Sequence, residues 1–208
     1  MNRRGHRLGD AIRSARAADL GAMAHIHATS GTPGLLSDLG ERFLRDVYYC
    51  GIVESPAGNA LVLELEGNVV GLVTYSLDSD RLFGEIFRRR RLRTLDAIAR
   101  ASVRKPRVSA DLLQTVAIVR ESRAGSDIKA EVVSLEVAAA FQGLGLGFVL
   151  LERAVSTMRA AGAQRVKARI LADHRDVERL YEHLGFCRGE AFRLHGRNWV
   201  LMVLGDVD

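Results

Sequence analysis

The chain has 208 residues, 48% of them hydrophobic and 26% charged, with three prolines and two cysteines. That length suits one globular domain with a sizeable core, and no apolar run reaches the roughly 18 residues that a membrane span needs. The basic start, Met1-Asn2-Arg3-Arg4, is not followed by the apolar core of a signal peptide, so a cytoplasmic protein is expected.

The net charge of +5 and a pI near 9.7 fit an anionic partner: nucleic acid, a phosphorylated cofactor or a membrane surface. The charge is unevenly spread. Arg81 to Arg123 holds twelve Lys or Arg against four Asp or Glu, a local net of +8, so the remainder carries −3. Cys50 and Cys187 are too few and too far apart for a disulfide framework or a metal site, and no metal is expected.

Residues 1–9 are polar and basic and read as a loose N-terminal arm. Ala11 to Ala15 alternates as a first strand. From Ala17, the three-and-four spacing of Leu20, Met23, Ala24, Ile26 and His27 predicts an amphipathic helix with Asp19 in its first turn, broken at Gly31-Thr32-Pro33-Gly34. A second helix starts at about Gly40, with Phe43, Leu44, Val47 and Tyr48 on one face and an end near Gly51. The β-rich runs Ala60 to Leu65 and Val69 to Leu77, joined by Glu66-Gly67-Asn68, predict a hairpin.

Arg81 to Ser102 is helical in propensity and includes Arg88-Arg89-Arg90-Arg91. Pro106 interrupts the chain beyond it, Ala110 to Val119 reads as another helix, and Arg120 to Asp127 as a polar loop. The last third is the most regular: a strand from Ala130 to Val137, a glycine-rich loop, a helix carrying Leu146, Leu150, Leu151, Ala154 and Met158 that stops at Gly162, and a strand from Arg165 to Leu171. A short helix from His174 to Leu184 and a hairpin around His195-Gly196-Arg197 close the chain. This order predicts an α/β fold with a mixed sheet between helices.

The loop Gln142-Gly143-Leu144-Gly145-Leu146-Gly147 lies between a strand and a helix start. Glycines there permit positive φ and let backbone amides crowd a ligand, and the helix N-terminus adds partial positive charge, so the place suits phosphate. It lacks the lysine of a Walker A loop, and Phe148 stands where a dinucleotide fingerprint needs its third glycine or alanine. A ligand-free strand-to-helix turn is the competing reading of the loop by itself.

Leu135-x-Val137-x-x-x-x-Gln142-Gly143-x-Gly145-x-Gly147 resembles the acetyl-CoA motif of the GNAT superfamily of acyl-CoA N-acyltransferases, whose loop is Gln/Arg-x-x-Gly-x-Gly/Ala. Downstream, Leu171-Ala172-Asp173-His174 followed by Arg179-Leu180-Tyr181-Glu182-His183-Leu184-Gly185-Phe186 resembles that family's second segment, with His174 where an asparagine is usual. The resemblance implies a single N-acetyltransferase domain over 1–208, with a mostly antiparallel central sheet flanked by helices and an extra basic helical insertion at 81–123. It implies acetyl-CoA as co-substrate, bound by Leu135, Glu136, Val137, Gln142, Gly143, Leu144, Gly145, Leu146, Gly147, His174 and Tyr181.

The implied reaction is attack of a primary amine on the thioester in a ternary complex. It needs a base for the amine proton, a donor for the oxyanion and an acid for the leaving thiolate. Tyr181 matches the family's tyrosine at the CoA sulfur; its bland reading is a packing tyrosine. The oxyanion donor is expected to be a backbone amide near Val137. Glu131 and Glu136 are the base candidates, and strand alternation over five residues puts them on opposite faces, Glu131 with Val133, Leu135 and Val137. Exposed strand carboxylates and a water-relayed base are the alternatives. His25 and His27 do not share a helix face, so metal ligation is not expected of them.

The acceptor pocket is expected around Thr29 to Leu39, the early helices and Arg193 to Asn198. A small amine, an amino sugar and a peptide or protein amine all stay open as acceptors, and a homodimer is a family-level expectation. For the arginines the readings run from a solvated surface, through attraction of an anionic acceptor, to nucleic-acid binding. A non-catalytic CoA-binding module, or a nucleic-acid-binding protein that uses the basic helices of 81–123, is the alternative for the whole chain.

Overall fold

The computed structural model describes residues 10–31, 35–104 and 127–205; the expected N-terminal arm, the helix at 110–119 and the loop around 120–126 lie outside the described residues. Seven strands form one sheet in the order β1-β2-β3-β4-β5-β7-β6: β1 Ile12–Ser14, β2 Asn59–Leu65, β3 Asn68–Ser76, β4 Glu131–Val137, β5 Val166–Leu171, β6 Cys187–Leu194 and β7 Arg197–Leu204. Every pairing is antiparallel except β4 with β5.

Among the described residues, seven helices cover the faces: α1 Leu20–Thr29, α2 Leu35–Leu39, α3 running from Glu41–Phe43 through Leu44–Tyr49 to Cys50–Glu54, α4 Ser79–Arg89, α5 Arg91–Arg104, α6 Leu146–Ala160 and α7 Arg175–His183. One face of the sheet buries Val73, Tyr75, Val132, Val200 and Met202 against Leu150, Leu151 and Met158 of α6 and Tyr181 of α7. The other buries Val62 and Leu72 against Met23, Ile26, Leu44, Val47 and Ile52 of α1 and α3, with Leu82 and Ile86 of α4 outside them. Alternation along β2 and β3 supplies both faces, as a sheet covered on two sides requires.

Both expected hairpins form. Their turns place a non-glycine before a glycine at positive φ, Glu66 at 51° and Gly67 at 78°, then His195 at 52° and Gly196 at 70°, the pairing that matches strand twist. Three local expectations change. Gly51 does not end the second helix: it lies inside α3, where a Cβ would stand 2.8 Å from Ile86 Cγ1, so the glycine admits α4 closely. The middle of α3 is π-helical, Leu44–Tyr49, which the three-and-four spacing does not reveal. The arginine-rich helix is two helices, broken at Arg90, whose guanidinium turns inward to the Asp46 carbonyl at 2.7 Å, Cys50 Sγ at 3.0 Å and Glu54 Oε2 at 2.6 Å.

Two features of β4 position the site. Its parallel pairing with β5 covers only Glu131 with Lys167 and Val132 with Ala168, after which the strands part. On its other side the register with β3 runs Ser76 to Glu131 and Tyr75 to Val132, then Thr74 to Ser134 and Leu72 to Glu136, leaving Val133 as an extra residue. That bulge inverts the alternation behind it.

Candidate active site

The bulge at Val133 corrects the expected placement of the two glutamates. Directly opposed residues of an antiparallel pair share a face, so Glu131, Ser134 and Glu136 lie on the face of Ser76, Thr74 and Leu72. Without the extra residue, a separation of five would have put the glutamates on opposite faces. Val132, Leu135 and Val137 occupy the other face with Tyr75, Val73 and Gly71.

Both glutamates are buried, in different company. Glu131 is ion-paired with Arg169, and Lys167 Nζ lies 3.8 Å from its Oε2. Lys167 is itself buried, and desolvation lowers its pKa while the charge of Glu131 opposes the shift. Two cations therefore compete for one carboxylate. Glu136 accepts a hydrogen bond at 2.6 Å from Ser30 Oγ at the end of α1, and its Oε1 is 4.0 Å from His27 Nδ1. His27 is buried, its Nδ1 is 2.6 Å from Tyr49 Oη, and burial pushes the imidazole down to about 4, so it is neutral at neutral pH. His27 is thus a core histidine, whereas His25 is exposed, 3.5 Å from Glu41.

The backbone beside Glu136 is open. Ala138 N–H donates to Val70 C=O at 2.9 Å, so by alternation Glu136 points its main-chain groups at β3, and Leu135 and Val137 point theirs across to β5. Pairing with β5 has ended by then. The Val137 carbonyl accepts from Gln142 Nε2 at 3.0 Å, and the same nitrogen donates to the Ser30 carbonyl at 3.1 Å. The Gln142 side chain is thus a strut between strand, loop and α1.

Gly143 and Gly145 have φ of 75° and 79°, and a Cβ on either would meet open space, so conformation alone demands glycine there. Gly145 is the N-cap of α6, whose first-turn amides have no intrahelical acceptor. Leu144 is 65% exposed, whereas Leu146 is buried in the core and offers only its main chain. Gly147 answers to packing: a Cβ would lie 3.3 Å from Leu180 Cδ1 of α7. His174 is the N-cap of α7, half-buried, with its N–H on the Leu171 carbonyl at 3.1 Å.

Tyr181 is 3% exposed and edge-on to Phe186, with ring centroids 5.0 Å apart. Burial, reinforced by the charges of Glu136 and Glu131, raises its pKa well above the ordinary value, so the hydroxyl keeps its proton at neutral pH. What orients this helix carries no motif in the sequence. Glu178, buried one turn before Tyr181, pairs with Arg175 of α7 and with Arg188 of β6. Ser30, His27 and Tyr49 likewise carry no local signal as neighbours of Glu136, because their partners lie far along the chain. Of the expected acceptor region, 32–34 lie outside the described residues, and in the last hairpin Trp199 Nε1 donates to Leu194 C=O at 3.2 Å.

This geometry offers an anion cradle at the start of α6, an open strand edge leading from it, a buried carboxylate at one side of the β4–β5 gap and a protonated phenol from the helical layer on the other. The Acetyltransferase (GNAT) family profile matches residues 23–186. Solved structures share the fold at low identity. An N-acetyltransferase of Staphylococcus aureus Mu50 aligns over 93% of this chain and 96% of its own, at 15% identity and a TM-score of 0.60. The ribosomal-protein-alanine N-acetyltransferase of Brucella melitensis aligns over 93% and 98%, at 20% identity and 0.54. YncA of Salmonella typhimurium, solved with its cofactor acetyl-CoA, aligns over 93% and 92%, at 20% identity and 0.58. No curated protein matches the sequence significantly. The chain belongs to the GNAT family of acetyltransferases, whose acetyl donor is acetyl-CoA.

Proposed function

We propose that this chain transfers the acetyl group of acetyl-CoA to a primary amine by direct attack within a ternary complex. The observation that carries the reading is the parting of β4 from β5 beside Glu136, which leaves the strand edge at Leu135 and the Val137 N–H facing the gap, while Gln142 holds the Val137 carbonyl. The amides of Gly143 to Gly147 hold the pyrophosphate, and Leu135 and Val137 hold the pantetheine arm as a neighbouring strand would. Leu144 and His174 flank the arm.

Glu136 is the base. Its carboxylate takes the amine proton directly or through one water, oriented by the Ser30 hydroxyl. The amine nitrogen then bonds to the thioester carbon, the Val137 amide supports the oxyanion, and the C–S bond breaks as Tyr181 gives its proton to the leaving sulfur and the phenolate recovers one from the acylated nitrogen, leaving the neutral amide. Glu131 is a poor base by comparison, since Arg169 and Lys167 engage it; it fixes the origin of the gap.

The test is release of free CoA thiol with a panel of small amines, amino sugars and peptide amines. Initial velocities over a grid of acetyl-CoA and amine should give intersecting lines, as a ternary complex requires. Parallel lines would mean an acetyl-enzyme. Thermal stabilisation by acetyl-CoA without thiol release on any acceptor would instead favour a binding module.

A further inference from the structure

The arginine-rich segment is the one sequence motif that the acetyl-transfer site leaves unused. Its four consecutive arginines do not act alike. Arg90 is anchored to α3 and fixes the elbow between α4 and α5, whereas Arg88, Arg89 and Arg91 are exposed and form no ion pair among the described residues. Around that elbow stand three large apolar side chains in water: Phe87 at 50% exposure, Leu92 at 82% and Leu95 at 52%.

The pattern on α5 is ordered. Thr94 and Ala101 are buried, with Ala97 against the core, and this is the face turned to α3. Leu92, Leu95 and Ala99 recur at three- and four-residue spacing on the other side, all exposed. A helix packed on one face normally presents polar residues on the other. Here the outward stripe is apolar, bordered by Arg91 on one side and, on the other, by Arg93 and the Asp96–Arg100 ion pair, so the border is cationic on balance.

Charge and shape select among occupants. A second copy would bring Arg88, Arg89 and Arg91 against themselves, because a two-fold interface is self-complementary. Nucleic acid would satisfy the arginines and leave the leucines without a partner, with Phe87 alone able to stack on a base. An anionic bilayer satisfies both: guanidinium groups sit among phosphates while protruding apolar side chains reach the acyl boundary. No helix among the described residues is long and apolar enough to cross a membrane, so the contact is peripheral.

We infer that the α4–α5 elbow docks on an anionic lipid surface, through Arg88, Arg89 and Arg91 together with Phe87, Leu92 and Leu95. The test is sedimentation of the full chain with phosphatidylcholine vesicles containing 30% phosphatidylserine and with vesicles lacking it. The expected result is partition to the anionic vesicles alone. Partition should fall about five-fold for each of Arg88→Gln and Arg91→Gln, the equivalent of about 1 kcal/mol per arginine. The pair Leu92→Ser with Leu95→Ser should lower it more than about ten-fold, by lost apolar burial. Thermal stabilisation by acetyl-CoA in every variant shows that it is folded. Absence of partition, partition that ignores the leucine pair, or displacement of the chain from vesicles by duplex DNA at equal phosphate would each overturn the inference.

Discussion

Ser30 Oγ lies 2.6 Å from Glu136 Oε2, although 106 residues separate them in the chain. The contact joins the end of α1 to the strand that parts from β5, and Gln142 fixes the same serine from the loop side. Removing the hydroxyl takes a charge-assisted hydrogen bond from a buried carboxylate, worth about 1.5–3 kcal/mol. Ser30→Ala should lower kcat about ten-fold and move the acid limb of kcat/KM to higher pH, since the ionised form loses a donor. Ser30→Thr should restore both. Thiol release measured from pH 5 to 9 checks this, and an unchanged profile in Ser30→Ala would count against it.

Glu131 should show its role in stability. Glu131→Gln leaves Lys167 buried without its counter-charge, which costs about 3 kcal/mol, the low end for a buried pair because Arg169 is 31% exposed. Urea unfolding should show that loss, with acetyl-CoA affinity changed little. A variant as stable as the parent would contradict the ion-pair assignment.

The buried histidine gives the pH dependence of stability. Burial holds folded His27 at about 4, against an ordinary value of 6.5. Between those values the unfolded chain binds a proton that the folded chain does not. Stability is therefore full above about 6.5 and falls by about 1.4 kcal/mol per pH unit as pH drops toward 4. Asp19, held below its ordinary 3.8 by the Arg13 guanidinium, adds a further loss at lower pH. In His27→Gln, which keeps an amide against Tyr49, the upper part of the decline should vanish. Denaturation midpoints at pH 4, 5, 6 and 7 measure it.

Gly145→Val separates the cradle from the fold. The site is sterically open, but φ of 79° is hostile to a β-branched residue, so the loop must shift. Calorimetry should show acetyl-CoA bound at least about ten-fold more weakly, with the melting temperature nearly kept. Unchanged affinity would move the phosphate site elsewhere.

Much of this site is legible in the chain before it folds. The glycine spacing, the preceding strand and the tyrosine segment are local signals, and each lands on the β4–α6–α7 unit. The shared face of Glu131 and Glu136 is not local: it depends on one extra residue, Val133, defined only against β3. Ser30, His27 and Tyr49 carry no motif, since their meaning comes from long-range packing onto Glu136. Arg90 is hidden for the opposite reason. Nothing in a run of four arginines distinguishes the one that faces Glu54 from those that face water.

The most direct measurement is thiol release by Glu136→Gln at saturating acetyl-CoA, beside its calorimetric affinity for acetyl-CoA. Loss of the carboxylate should cut kcat by about 10²- to 10⁴-fold, the usual worth of a general base, while the affinity stays within about three-fold of the parent. A variant that keeps kcat within ten-fold would contradict the account, because the amine proton would then leave by another route.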